Sequence, residues 1–152
     1  MPITFAPMLP ITIINGPNLN LLGNREVEIY GNQSFEDYLL ELQKRFTFFD
    51  ILYFQSNIEG ELITAVQQAN LKSKAIIINA AGYTHTSVAL GDAVASLSIP
   101  CLEVHISHIL KREPFRHHSY IAANATGLIA GLGLHGYYLA LQYLEHHLKV
   151  KF

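Results

Sequence analysis

Residues 75–106 have the sequence AIIINAAGYTHTSVALGDAVASLSIPCLEVHI, and this stretch decides the fold. It begins with a continuous apolar run, Ala75–Asn79, which is typical of a strand buried on both faces. Small residues over 87–97 indicate a helix, and Pro100 introduces a second buried strand over 101–106. A strand, a helix and a strand in succession predict two parallel strands joined by a crossover.

The same alternation continues on both sides of this stretch. An apolar run over 11–15 predicts a first strand, and Ser34 with Asp37 three residues later matches the N-cap of a helix. Further patterns predict a strand over 49–55, a helix over 59–70, a strand over 125–129 and a helix over 136–148. The sequence therefore predicts an α/β fold, a five-stranded parallel sheet with helices on both faces.

The composition is typical of one folded, soluble domain. The chain has 152 residues, of which 50% are hydrophobic and 14% charged, which is enough for a sizeable core. We expect a single catalytic domain over 11–152. Residues 1–10 form an irregular extension that has no Lys or Arg and so lacks the charged region of a secretory signal. The single cysteine, Cys101, cannot form an internal disulfide and favours the cytoplasm.

Several classes of function lose support. A formal net charge of -2 leaves no broad cationic surface for a nucleic acid. Residues 127–144 are long enough to suggest a membrane span, but their glycines favour a buried strand and helix. The histidines lack metal-ligand spacing, and no phosphate-cradling glycine motif follows the first strand. We therefore expect no metal, no cofactor, no nucleic acid and no membrane among the partners.

Polar side chains follow three of the predicted strands. Residues 15–20, 79–85 and 105–108 supply amides, hydroxyls and imidazoles, and ligands of parallel sheets bind beyond the carboxyl ends of the strands. Glu103 and His105 are two apart on one strand, so both side chains lie on the same face and the carboxylate can orient and charge the imidazole. A structural, non-catalytic pair remains an equally good interpretation of this spacing.

Two further segments carry cations near this edge. Residues 23–31 contain Arg25 and Tyr30 between glycines, which suggests a lid, although a surface tyrosine that holds a loop is the simpler interpretation. A base near pH 7 would need the phenol pKa lowered by about three units. Arg112 and Arg116 are four apart, as on one face of a helical turn. A solvated basic turn is the usual interpretation of such a run, but its position directly after the predicted strand of His105 favours capture of an anion.

Six ordered motifs together resemble type II 3-dehydroquinate dehydratase. They are Asn15-Gly16-Pro17-Asn18-Leu19-Asn20-Leu21-Leu22-Gly23; Arg25-Glu26 with Ile29-Tyr30-Gly31; Gln55-Ser56-Asn57 with Glu59-Gly60; Asn79 with Tyr83-Thr84-His85-Thr86-Ser87; Glu103-Val104-His105-Ile106-Ser107; and Arg116-His117-His118-Ser119. The resemblance extends from residue 11 to about residue 148. It implies a flavodoxin-like fold and the cofactor-free dehydration of 3-dehydroquinate to 3-dehydroshikimate, a step of the shikimate pathway.

The resemblance also implies catalytic roles. Tyr30 matches the base that removes a proton beside the ketone, and Arg25 matches the residue that keeps the phenol ionised. Asn18 is implied to hold the water that stabilises the resulting enolate. His105, paired with Glu103, is implied to protonate the departing hydroxyl.

The remaining matched positions are implied to bind substrate. Asn79, His85 and Arg116 match residues that bond the ring hydroxyls, and Ile106 and Ser107 match the donors to the carboxylate.

Arg112 matches a lid arginine, and Asp92 matches an acidic residue that reaches a neighbouring subunit's site. Enzymes of this type are dodecamers built from trimers, which is the assembly implied here. Two positions depart from the family pattern: Val27 replaces a proline, and His108 replaces an asparagine. A flavin or nucleotide binding module of flavodoxin-like fold is the alternative interpretation.

Overall fold

A computed structural model describes residues 2, 3, 6–24, 28 and 32–148. The strands are β1 (Leu9–Asn15), β2 (Phe49–Gln55), β3 (Ala75–Asn79), β4 (Cys101–His105) and β5 (Gly127–Ala130), and the α-helices within these residues are α1 (Phe35–Arg45), α2 (Glu59–Lys72), α3 (Val88–Ala95) and α4 (His135–His147). Short 3-10 helices lie at Leu19–Leu21, Ala81–His85, Ile109–Lys111 and Pro114–His117.

The five strands form one sheet in the order β2-β1-β3-β4-β5, and every neighbouring pair is parallel. This confirms the predicted sheet. The chain moves outward from β1 to β2 and then returns to β3 on the other side of β1. Asn15 and Asn79, which end β1 and β3, are register partners at this point. A crevice beyond the strand ends is expected where the strand order reverses in this way.

Alternate side chains of the buried strands enter two separate cores. Ile77 packs in the core that includes Leu42 of α1 and Leu141 of α4. Ile76 and Ile78 point to the opposite core, which contains side chains of α2 and α3. Such alternation is the two-residue period of a strand. Helices therefore cover both faces of the sheet, as predicted.

The capping prediction at α1 is confirmed in detail. The Ser34 hydroxyl oxygen accepts a hydrogen bond from the Asp37 amide at 3.2 Å, which satisfies one of the unpaired donors of the first helical turn. Ser87 has the same role at α3, where its oxygen accepts from the Leu90 amide at 2.9 Å. Helix α3 thus begins one residue later than the first residue of the predicted segment.

Two strands begin at a different residue from the one predicted. Strand β1 begins at Leu9, so Leu9 and Pro10 are not part of an irregular extension. Pro10 is tolerated because β3 pairs with β1 only from Ile11 onward, and the missing amide hydrogen costs no bond on that side. Strand β5 begins at Gly127, since the amide of Ala125 bonds the carbonyl of Ile121 within a turn. No described helix is long and apolar enough to cross a membrane.

Gly16 brings the turn after β1 against the backbone after β3. A Cβ at this position would lie 2.4 Å from the Ala80 carbonyl oxygen, so we expect Gly16→Ala to lower the free energy of unfolding by about 2 kcal/mol. Urea unfolding measures the change.

Gly60→Ala is the matched control. No atom lies within 4 Å of a Cβ built at Gly60, an exposed position in the first turn of α2. The added methyl group should raise helix stability by up to about 1 kcal/mol. Equal stability of the two variants would show that the Ala80 contact does not constrain the turn.

Candidate functional site

A cavity opens at the carboxyl ends of β1, β3 and β4, where the crevice was expected. It is lined by residues from the turns after all three strands and by Arg112 and Arg116. The predicted site residues among its walls are Asn18, Asn79, His85, His105, Ile106, Ser107, Arg112 and Arg116. The structure thus brings together side chains that are spread over about a hundred positions of the chain.

The other predicted residues lie elsewhere. Glu103 is fully buried behind His105. Asp92 is exposed on α3 and does not line the cavity of its own chain. Arg25 and Tyr30 lie outside the described residues, as does the departing position Val27.

His105 and Glu103 form a short, buried pair. Nε2 of His105 lies 2.6 Å from Oε1 of Glu103, and the His105 side chain is only 5% exposed. The pair arises because alternate residues of β4 share a face, as the spacing predicts. Since Nε2 faces the carboxylate, the other ring nitrogen, Nδ1, is left for a ligand, and it makes no hydrogen bond to the described residues.

Two hydroxyl groups complete the surroundings of Glu103. Thr84 Oγ1 donates to Oε1 at 2.8 Å, and Ser119 Oγ lies 2.8 and 2.9 Å from the two carboxylate oxygens. Burial by itself raises the pKa of Glu103, but the bond to His105, the charge of His105 and these two hydroxyls outweigh it and hold the pKa below its usual range. Thr84 and Ser119 are absent from the site predicted from sequence, because nothing local links either of them to Glu103.

His85 faces the cavity as a neutral ring. Its Nδ1 lies 2.8 Å from the carbonyl oxygen of His118, and a carbonyl can only accept, so Nδ1 carries the hydrogen. Burial, followed by the charges of His105 and Arg116, lowers the pKa of His85. Its Nε2 is therefore a hydrogen-bond acceptor. The His85 and His105 rings are nearly parallel, with centroids 6.0 Å apart.

Asn18 occupies a strained backbone position in the cavity wall. Its φ is 69°, in the left-handed region that few residues other than glycine adopt. The backbone N–H of Asn18 donates to Oδ1 of Asn57 at 3.0 Å. Gln55 Nε2 donates to the same oxygen at 3.2 Å. The predicted site does not include these two supporting side chains, although both lie in the third motif. Strain of this kind is common at functional sites.

The prediction that Arg112 and Arg116 share one helical turn is wrong. Pro114 disfavours helical backbone at the residue before it, and Glu113 is extended, with φ -60° and ψ 146°. The two arginines consequently belong to separate turns, yet both line the cavity. Arg112 Nη1 donates to Ser107 Oγ at 3.2 Å, and Arg116 Nε donates to a Glu113 carboxylate oxygen at 2.7 Å.

A buried polar network lies beneath the cavity floor. The Tyr137 hydroxyl on α4 contacts both Asn79 and Asn15. Neither Tyr137 nor Asn15 is among the predicted site residues, and the only sequence signal was the position of Asn15 at the end of the first strand.

Among the residues that the structure describes, no three His, Cys, Asp or Glu side chains gather as a metal-binding group.

Glu103 makes stability depend on pH in the acid range. Because its folded-state pKa is lowered from the ordinary 4.5, the stabilisation is complete above that value and is lost as the pH falls through the lower folded-state pKa. Glu103→Gln removes this contribution. Its free energy of unfolding should therefore change less between pH 5 and pH 3 than that of the wild type.

Urea unfolding at a series of pH values measures both slopes. Asp50→Asn is the control, since it removes an exposed carboxyl from β2 and leaves Glu103 in place. A Glu103→Gln slope as steep as that of the wild type would contradict the assignment of a charged, stabilised Glu103.

The model of the family Dehydroquinase class II matches residues 9–145. A protein named 3-dehydroquinate dehydratase from Histophilus somni (strain 2336) is 51% identical over 142 residues, which cover 91% of this chain and 94% of that protein. One of the same name from Hyphomonas neptunium is 52% identical over 132 residues, or 87% and 90% of the two chains.

Solved structures agree with these relatives. The type II dehydroquinase from Propionibacterium acnes superposes with a TM-score of 0.87 at 42% identity, covering 93% of this chain and 99% of that one. The type II dehydroquinase from Butyrivibrio crossotus gives 0.86 at 43% identity, covering 91% and 98%. These matches confirm the resemblance and the flavodoxin-like fold, and they do not favour a flavin or nucleotide binding module. The chain belongs to the class II dehydroquinase family.

Proposed function

We propose that this class II dehydroquinase converts 3-dehydroquinate to 3-dehydroshikimate by abstracting a proton and then expelling water, without a metal or cofactor. The observation that carries the proposal is the 2.6 Å contact between His105 and Glu103 on the wall of the cavity. The buried carboxylate fixes the orientation of the imidazole and leaves its other ring nitrogen, Nδ1, without a partner among the described residues. His105 is thereby suited to give a proton to a leaving hydroxyl.

Tyr30 starts the reaction in this proposal. Its phenolate removes the proton beside the ketone, and the electron pair of the broken C–H bond forms an enolate. Arg25 keeps the phenol ionised, because an adjacent positive charge favours the charged form of an acid. The support for these two roles is the match of both positions to the family motif.

Elimination follows from the enolate. A water held by Asn18 stabilises the negative oxygen, and Asn18 is suited to this role by its place in the cavity wall. The enolate electrons then form the new C=C bond as the C–O bond breaks. Nδ1 of His105 donates the proton with which the departing hydroxide becomes water. Tyr30 ends protonated and His105 ends neutral, so one proton must pass between them through solvent before the next turnover.

The rest of the cavity offers donors and acceptors to a polyhydroxylated acid. Ser107 Oγ already accepts from Arg112, so its own hydrogen is available to the substrate carboxylate beside the backbone of Ile106. Nε2 of His85 is an acceptor for a ring hydroxyl, and Asn79 and Arg116 are placed to bond the others. Arg112 is proposed as the arginine that closes over the bound acid.

We propose a dodecamer of trimers as the assembly, with Asp92 reaching the site of a neighbouring subunit. Its exposure on α3, away from the cavity of its own chain, supports this role.

We also propose a cytoplasmic location. The support is that the one cysteine, Cys101, is a buried free thiol and has no second cysteine with which to form an internal disulfide.

The role of Tyr30 is tested directly by Tyr30→Phe. Chelator-treated wild type should form the conjugated, ultraviolet-absorbing product from 3-dehydroquinate, and the variant should lose at least about a thousandfold in kcat, as expected when the reacting base is removed. Tyr143→Phe is the control, since it deletes the hydroxyl of a tyrosine exposed on α4. Circular dichroism establishes that each variant is folded. Turnover by Tyr30→Phe near the wild-type rate would remove Tyr30 from the mechanism.

The shared site is tested by mixing inactive subunits. Light scattering should give the mass of a dodecamer, and Asp92→Ala should assemble but turn over slowly. When Asp92→Ala and Tyr30→Phe chains are unfolded and refolded together, some sites combine a normal Tyr30 with a neighbour's normal Asp92. Activity should then rise above that of either variant alone. A monomer, or mixtures that regain nothing, would contradict the proposed sharing.

A further inference from the structure

Tyr137 links the two strand ends beneath the cavity. Its side chain is fully buried on α4, and its ring contacts Phe35 edge to face at 4.9 Å. The hydroxyl donates to Oδ1 of Asn15 at 2.7 Å and accepts from Nδ2 of Asn79 at 2.9 Å. Asn15 and Asn79 end β1 and β3 and are register partners.

These contacts determine which group donates and which accepts in each hydrogen bond of the network. The phenol remains protonated, since burial strongly raises the pKa of Tyr137. It has a single hydrogen, and Oδ1 of Asn15 takes that hydrogen. The hydroxyl oxygen can therefore only accept from Asn79. The nitrogen of the Asn79 amide must face Tyr137, and a flipped amide would lose this bond.

The oxygen of the same amide has a second task. Oδ1 of Asn79 accepts from the backbone N–H of Ala81 at 3.1 Å. Ala81 has a φ of 53°, in the left-handed region, and lines the cavity. The nitrogen and the oxygen of the Asn79 side-chain amide are thus both hydrogen-bonded. The bond from Ala81 also helps to fix the turn that leads to His85. The second hydrogen on Nδ2 takes no partner among the described residues.

Packing alone does not require a tyrosine here. Phenylalanine would fill the same space, and a buried hydroxyl is unfavourable unless it is hydrogen-bonded. We propose that Tyr137 is a positioning residue, which orients the side-chain amide of Asn79 so that its remaining N–H is presented to a substrate hydroxyl in the cavity. The identity of the substrate rests on the proposed function, whereas the orientation of the amide does not.

Tyr137→Phe tests this role through substrate binding. We expect KM to rise about tenfold, the effect of losing one well-placed hydrogen bond. We expect kcat to change little, because a bond made equally to substrate and transition state affects KM alone.

Thr12→Val is the matched control. It deletes a buried hydroxyl in the middle of β1 that lies 2.6 Å from Ser73 Oγ, so it should lower stability and leave KM unchanged. A wild-type KM in Tyr137→Phe, or an equal rise in Thr12→Val, would overturn the proposal.

A double-mutant cycle shows whether Tyr137 acts through Asn79. If it does, Tyr137→Phe should add nothing to the KM of Asn79→Ala, because the amide that it orients is already absent. Independent, multiplying effects would contradict the proposal. Should Tyr137→Phe fail to fold, Asn15→Ala removes the acceptor that directs the Tyr137 hydrogen. A smaller rise of KM, about threefold, is then expected, and no rise would count against the proposal.

Side-chain amide NMR separates this proposal from the proposed function. In the ligand-free wild type, the two Nδ2 hydrogens of Asn79 should differ, with one shifted and slow to exchange through its bond to Tyr137. In Tyr137→Phe this difference should shrink. Unchanged Asn79 signals would overturn the positioning role even in an active enzyme. If the wild type shows these signals but is inactive toward 3-dehydroquinate, the proposed reaction is contradicted, whereas the role of Tyr137 in orienting the amide is supported.

Discussion

The carboxylate of Glu103 lies in the interior of the protein with no exposed surface, and the geometry of the site depends on keeping it charged there. A buried carboxylate without donors is strongly unfavourable. Here donors come from three parts of the chain: His105 on the same strand, Thr84 after β3, and Ser119 just after the 3-10 helix Pro114–His117. Their convergence ties together the turns that form the cavity, so the charge that supports the imidazole also determines where the surrounding loops lie.

Most of the fold follows from local patterns in the chain. Apolar runs such as Ala75–Asn79 identify the buried strands, and caps such as Ser34 identify where helices begin. The rule that parallel strands present ligands at their carboxyl ends places the cavity. Strand periodicity also places Glu103 beside His105, although it leaves open what the pair does. Each of these signals depends on residues that are close together in the chain. Such local patterns can be identified from the amino-acid sequence alone.

Contacts between distant segments could not be predicted in this way. Tyr137 is 122 positions from Asn15, and the hydrophobic pattern of α4 gives no sign that its hydroxyl has a polar partner. The error at Arg112 and Arg116 has a different origin. Their four-residue spacing indicates a helical turn only if the backbone between them is helical, and Pro114 breaks that condition. The proline is the stronger of the two local signals, because it acts on the backbone directly.

The departures from the family pattern have separate consequences. His108 is exposed and lies outside the described cavity wall, where its side chain packs beside Gly131. Gly131 has a φ of 87°, and a Cβ there would lie 3.0 Å from that of His108. His108 therefore faces the turn after β5 and is not among the residues that line the cavity. Val27, the other departure, lies outside the described residues.

The central claim is that Tyr30 removes the proton and His105 assists the loss of water in a separate step. Hydrogen exchange at the carbon beside the ketone, followed by NMR of 3-dehydroquinate in deuterium oxide, tests it most directly. His105→Gln should incorporate deuterium into unreacted substrate while forming little product, because the enolate still forms and returns. Tyr30→Phe should do neither. Exchange that persists in Tyr30→Phe, or that disappears in a folded His105→Gln that still binds substrate, would contradict the assignment of the two roles.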